Sequence, residues 1–114
     1  MTKPNLDDWV WVQAMLNQAM LGVISTNIRQ ICLCYNNGWK IVTIVEHPNE
    51  EDIEDIEDIA VETGIFMEGI KDRLSPCAYT RVATVIDVNK GSLENPTSLN
   101  CRIVYRRKEN ADNQ

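Results

Sequence analysis

Nine carboxylates fall between Glu46 and Glu62, in the run EHPNEEDIEDIEDIAVE, and no lysine or arginine lies between Lys40 and Lys71. Carboxylates at this density have three chemistries open to them. General acid–base work needs a cleft and one carboxyl whose pKa is raised, and clustering alone builds no cleft. A calcium loop needs oxygens at alternating positions around a sharp glycine turn. DIEDIEDI has no glycine and follows a helical period instead. The third chemistry is a negative field that attracts a cationic surface. On that reading Glu46, Glu50, Glu51, Asp52, Glu54, Asp55, Glu57, Asp58 and Glu62 are the candidate partner-binding residues.

Elsewhere the reactive residue types are sparse. His47 is the only histidine, and the four cysteines are Cys32, Cys34, Cys77 and Cys101. Cys32 and Cys34 stand two apart in a strand-like run, which puts them on one face and not at the C-x-x-C spacing of a zinc or redox site. They read as small buried residues, kept as thiols in a reducing compartment. Neither a G-x-S-x-G elbow, nor a Walker loop, nor a G-x-G-x-x-G turn is present. The expectation is no enzyme, no cofactor and no metal site.

Composition bounds the partners. The 114 residues carry a net charge of −6 with 44% hydrophobic and 25% charged side chains. That is the balance of a globular domain, and a single domain over 1–114 is expected. A negative chain lacks the basic face that nucleic acid requires and is repelled by an anionic membrane. No apolar run reaches the length of a membrane span. The start, MTKPNLDDWVWVQ, has no long apolar stretch and carries Asp7 and Asp8, unlike a secretory signal. A cytoplasmic location follows as an expectation.

The elements that must hold the acidic run are legible from periodicity. LDDWVWVQAMLNQAM spaces Val12, Met15, Leu16, Ala19 and Met20 as a helix, with Gly22 beyond it as a stop. IRQICLCY and WKIVTIVE flank NNG, a turn sequence that accepts positive φ, so residues 28–46 read as a β-hairpin. Asn49 is a good N-cap for a helix starting at Glu50. Ile53, Ile56, Ala60, Thr63 and Met67 form its apolar stripe, flanked by Ile59 and Ile70, with the acids opposite. Gly64 and Gly69 are places for that helix to bend or end. YTRVATVIDV and CRIVYRRK are strands three and four, separated by the polar loop NKGSLENPTSLN, and ENADNQ reads as a frayed tail. The fold class is α+β: order α-β-β-α-β-β, a four-stranded mostly antiparallel sheet with two helices on one face.

Within the acidic helix, carboxylates meet at i,i+4 in the pairs 50–54, 51–55, 54–58 and 58–62, and at i,i+3 in 51–54, 52–55, 54–57 and 55–58. At ~0.2–0.5 kcal/mol each in an isolated helix, these total roughly 2–4 kcal/mol of self-repulsion. The helix dipole favours only the first-turn acids Glu50, Glu51 and Asp52. A docked basic surface would relieve the remainder. Charge sets association rate and partner choice more than tightness, so an apolar or aromatic anchor is also required. Trp39 is the candidate included with the acids, and Trp9, Trp11 and Phe66 are further candidates. Trp9 and Trp11 point to different sides of the first helix, one toward the core and one partly outward.

The segment AMLGVISTNIRQICLCY, then a hairpin, Glu46 and EEDIEDIEDI, resembles small bacterial immunity proteins of polymorphic-toxin and contact-dependent growth inhibition systems. The shared pattern is L-L-G-x-I-S-P-N-x-R, matched here by Leu21, Gly22, Ile24, Ser25, Asn27 and Arg29, with Thr26 where the proline usually stands. The likeness covers about residues 14–62. It implies tight binding and neutralisation of a cognate toxin domain in the cytoplasm of the producing cell. Such toxins are often nucleases with basic clefts, against which an acidic helix is a sensible counterpart. Two rival readings use other partners. One is an acidic nucleic-acid mimic that blocks some other protein. The other is a structural homo-oligomer in which the basic end Arg106, Arg107 and Lys108 meets the acidic helix of a neighbouring copy.

Overall fold

The computed structural model describes residues 3–96 and 100–109. Helix α1 spans Leu6–Met20 and opens with a capping box. The Asn5 side chain accepts from the Asp8 N–H at 2.8 Å, and the Asp8 carboxylate accepts from the Asn5 N–H at 2.9 Å. Asp8 is therefore more than a dipole-favoured surface acid. It is buried, and its second oxygen accepts the Ser75 N–H at 2.9 Å, which ties the helix start to the distant Ser75 connection. Gly22, at φ +75°, turns the chain out of the helix.

Strands β1 (Ile28–Tyr35) and β2 (Trp39–Val45) form the expected hairpin around Asn36–Gly38, with Asn37 at φ 57°. Helix α2 spans Glu50–Glu68, capped by Asn49, whose side chain accepts the Asp52 N–H at 3.0 Å. It continues unbroken through Gly64 and ends at Gly69. Strand β3 is Val82–Val88 and β4 is Cys101–Arg106.

The strand order is β3-β2-β1-β4. β1 pairs antiparallel with β2 and β4, while β2 and β3 run parallel because α2 carries the chain back across the sheet. The sheet is thus mostly antiparallel, with two helices on one face. Ile31, Leu33 and Tyr35 of β1 alternate toward that face and meet Trp39, Ile41 and Val45 of β2, Trp9, Val12 and Leu16 of α1, and Ile56, Ile59 and Met67 of α2. Trp39 sits at the centre, 1% exposed. Trp9 lies edge-on to it at 4.9 Å and Tyr35 at 5.0 Å, and its indole N–H donates to the Ala78 carbonyl at 2.7 Å.

Three expectations change. Trp39 cannot be a partner anchor, because the strand alternation that aligns it with Ile41 drives it into the core. Cys34 and Cys101 are joined in a disulfide, since the β1–β4 register sets them directly opposite with Cα atoms 4.1 Å apart. Cys32 and Cys77 remain thiols, and burial pushes the Cys32 thiol up from its ordinary pKa. Finally, Glu109 belongs to no frayed tail: it pairs with Arg29 and with Arg107. Residues 97–99 of the polar loop and 110–114 of the tail lie outside the described residues. No helix among the described residues is long and apolar enough to cross a membrane.

Candidate functional site

The acidic run divides into residues turned outward and residues used internally. Glu50, Glu51, Glu54, Glu57, Asp58 and Glu62 are exposed and Asp55 is half-buried. None of these seven has an ion-pair partner among the described residues. The reason is local. The apolar residues of α2 fall on one arc of a 3.6-residue period, leaving the acids to fill the rest of the circumference.

Asp52 departs from this set, being only 5% exposed. Its carboxylate accepts from the Ser25 hydroxyl at 2.8 Å and from the Asn27 amide at 2.7 Å. Asn27 also donates to the His47 carbonyl and accepts the His47 N–H, each at 2.9 Å. Its main-chain carbonyl accepts the Glu46 N–H at 2.9 Å. Ser25 and Asn27 therefore clamp the first turn of α2 to the start of β1. The sequence signal for this clamp was present in the Leu-Gly-x-Ile-Ser-x-Asn-x-Arg pattern, which pairs the two residues with Arg29.

Arg29 extends the same scaffold. It is buried, sits at a register shift in the β1–β2 ladder, and donates to the Asn89 and Gly91 carbonyls at 2.7 Å each and to Glu109. It thereby holds the start of the loop that leaves β3, at Asn89 and Gly91, against β1.

Glu46 stands apart from the helix face. Arg107 donates to it at 2.9 Å, and His47 lies at 3.1 Å. The Arg107 hydrogen bond holds the Glu46 carboxyl below the usual carboxylate range, and Arg29 followed by Arg107 does the same for Glu109. Arg107 is correspondingly held above its ordinary value, by Glu46 first and then Glu109. Arg106 donates to the Gln30 side chain. The basic end of β4 is thus engaged within the chain, apart from exposed Lys108.

The proposed aromatic anchors are also placed. Trp9 and Trp39 are core residues, while Trp11 is half-buried beneath the Arg73 guanidinium, 5.2 Å from its ring centre. Phe66 packs partly against the core. The exposed apolar residues of α2 are Ile53 (37%), Val61 (62%) and Ile65 (62%). Helical phase places Ile53 and Val61 on the flank of Glu50, Glu54 and Glu57 that faces β3. There a groove of about 590 Å³ is lined by Glu57, Ala60, Val61 and Gly64 of α2 and by Arg81, Val82, Ala83 and Thr84. Sequence periodicity missed this strip because it treats apolar residues as core. Among the described residues, no group of three or more His, Cys, Asp or Glu side chains is arranged to hold a metal ion.

The chain is thus a small α+β domain whose second helix, clamped at Asp52 by Ser25 and Asn27, turns acidic and apolar residues outward together. Residues 7–109 match the model of the MafI2 immunity protein family, and the chain belongs to that family. No curated protein gives a match.

Proposed function

We propose that this immunity protein neutralises its cognate toxin by docking the acidic face of α2 onto a basic surface of the toxin, the substrate cleft of a nuclease, and that it has no reaction of its own. Glu50, Glu51, Glu54, Asp55, Glu57, Asp58 and Glu62 supply the field, with Glu46 at its margin. Asp52 acts by holding the helix in place. The observation that carries this reading is that seven carboxylates on one helix have no cationic partner among the described residues, so their mutual repulsion stands until a cation docks. A nuclease cleft, basic because it binds phosphates, offers such a surface, and burying it would block the reaction. The protein acts where the toxin would act, in the cytoplasm of the producing cell; the docking face on α2 holds neither Cys34 nor Cys101, so it does not depend on the disulfide that a reducing cytoplasm would open.

The homo-oligomer reading has less to draw on, since Arg106 and Arg107 already have partners within their own chain. A nucleic-acid mimic directed at another protein would use the same face and differs only in the partner.

An immunity gene follows its toxin gene, so the toxin domain encoded directly upstream is the probe. Titrated over a range of salt, it should bind tightly and more weakly as salt rises. Changing Glu54, Asp55 and Asp58 together to Lys should weaken binding and flatten the salt dependence. Unchanged affinity and salt slope in that variant would remove α2 from the interface. Failure of the parent protein to bind the toxin at all would remove the proposal.

A further inference from the structure

Among the described residues β3 is an edge strand, paired with β2 alone. Edge strands in natural proteins are usually guarded by Pro, Lys, a bulge or a covering element, because their free N–H and C=O groups template another strand. VATVIDV carries no proline or lysine, and its register with β2 is unbroken over all seven residues. The opposite edge, β4, has a register shift and two arginines.

The direction of the free groups follows from one hydrogen bond. Asn89 donates its N–H to the Val45 carbonyl at 2.9 Å. Main-chain groups alternate sides along a strand, so Ala83, Val85 and Asp87 also turn toward β2. Val82, Thr84, Ile86 and Val88 turn theirs outward. Their side chains point to the helical face, where Val82 and Ile86 meet the core. A strand added at this edge would therefore place alternate side chains under α2, in the groove between Glu57, Val61, Gly64 and the start of β3.

Gly64 supplies an independent sign. In the middle of a helix, glycine costs about 1 kcal/mol relative to alanine. A Cβ added there would meet nothing within 4 Å, so no contact within the chain calls for glycine. It leaves open the wall of the groove.

We infer that the β3 edge and the overhanging α2 wall form a strand-acceptor groove for an extended segment of the toxin, one that pairs its main chain with β3 and directs basic side chains at α2. This rests on the toxin-neutralising reading above and adds how the partner is held. Charge selects the occupant. A second copy paired edge to edge through a two-fold axis would bring α2 beside its own copy on the same side of the sheet, setting Glu50, Glu54 and Glu57 against like charges. A basic segment meets these residues favourably, with Arg81 the one basic side chain in the lining. Strand addition supplies affinity through main-chain bonds and specificity through the alternate side chains.

The test is amide hydrogen exchange of the full chain with and without the toxin domain encoded upstream, together with affinities for two variants. Thr84→Pro removes an outward N–H at a position where an edge strand tolerates proline, and Gly64→Leu fills the groove while favouring the helix. We expect the Thr84 and Ile86 amides to exchange fast in the free protein and to slow on binding. Both variants should weaken binding roughly tenfold or more, and Gly64→Leu should melt no lower than the parent. If Thr84→Pro fails to fold, Gly64→Leu and the exchange map decide alone. Toxin binding that leaves β3 exchange and the Gly64→Leu affinity unchanged would overturn the groove while sparing the immunity reading. Absence of binding to the parent would overturn both. Protection of β3 that grows with the concentration of the chain alone would assign the edge to a second copy and overturn the inference.

Discussion

Asp52 and Asp58 are both aspartates of the same acidic helix, yet their replacement by alanine should move stability in opposite directions. Asp52→Ala removes a buried carboxylate and leaves the Ser25 hydroxyl and the Asn27 amide without their 2.8 and 2.7 Å acceptor. Hydrogen bonds to a charged group contribute ~1.5–3 kcal/mol each. Both donors are half-buried and regain some water, so the expected cost is about 2–4 kcal/mol. The gain in helix propensity, ~0.6 kcal/mol, is offset by the lost interaction of a first-turn acid with the helix dipole. At about 4 °C per kcal/mol for a domain of this size, the melting temperature should fall by roughly 8–16 °C. Asp58→Ala instead removes three like-charge pairs, with Glu54, Asp55 and Glu62. It should raise stability by ~0.5–1.5 kcal/mol at low salt. In about 1 M salt, where screening reaches ~3 Å, most of that gain should vanish while the Asp52→Ala penalty persists. Thermal melts at two salt concentrations read all four values. A melting temperature for Asp52→Ala within about 2 °C of the parent would refute the clamp, and so would an Asp58→Ala loss as large as that of Asp52→Ala.

Three further outcomes are expected. The Thr43 hydroxyl is fully buried and has no hydrogen-bond partner among the described residues, so Thr43→Val should stabilise by about 1 kcal/mol in denaturant titration. Unchanged stability would mean that a water serves the hydroxyl. Glu46 and Glu109 have folded-state pKa values below the ordinary carboxylate value, held there chiefly by Arg107 and by Arg29 respectively. Their contribution is complete above that ordinary value and is lost as pH falls through the depressed ones. Stability should thus decline in acid, and Arg107→Gln should shallow that decline; an identical acid limb in both proteins would contradict the linkage. Oxidised protein unfolded in denaturant should titrate two free thiols, Cys32 and Cys77. Reducing the Cys34–Cys101 bond, which spans 67 residues, should cost up to about 4 kcal/mol; four titratable thiols before reduction would show the bond unformed.

The two helices, the hairpin and both later strands were legible because each follows a local rule. Asn49 caps α2, the Asn36–Gly38 turn closes the hairpin, and the apolar stripe of α2 repeats every three to four residues. The acidic face was legible for the same reason, since periodicity alone assigns Glu54, Glu57 and Asp58 to the side away from the core. The pattern around Ser25, Asn27 and Arg29 also marked a family resemblance that the match over residues 7–109 bears out.

Other properties rest on contacts between residues far apart in the chain. Helical phase sets Asp52 on the buried arc of Ile56 and Ile59, unlike Asp58, but it becomes a clamp because Ser25 and Asn27, 27 and 25 residues earlier, reach it. Trp39 is core because the β2 register and the packing of Trp9 enclose it. Cys34 meets Cys101 only because β4 joins the sheet beside β1, on the side away from β3. Among the described residues the outer edge of β3 is unpaired because the crossover through α2 and the long loop place the last two strands on opposite sides of the sheet. A local period sets which face of an element turns inward. Which neighbour meets that face is set by the packing of the whole chain, and here that packing decided which carboxylates hold the fold and which are left to face a partner.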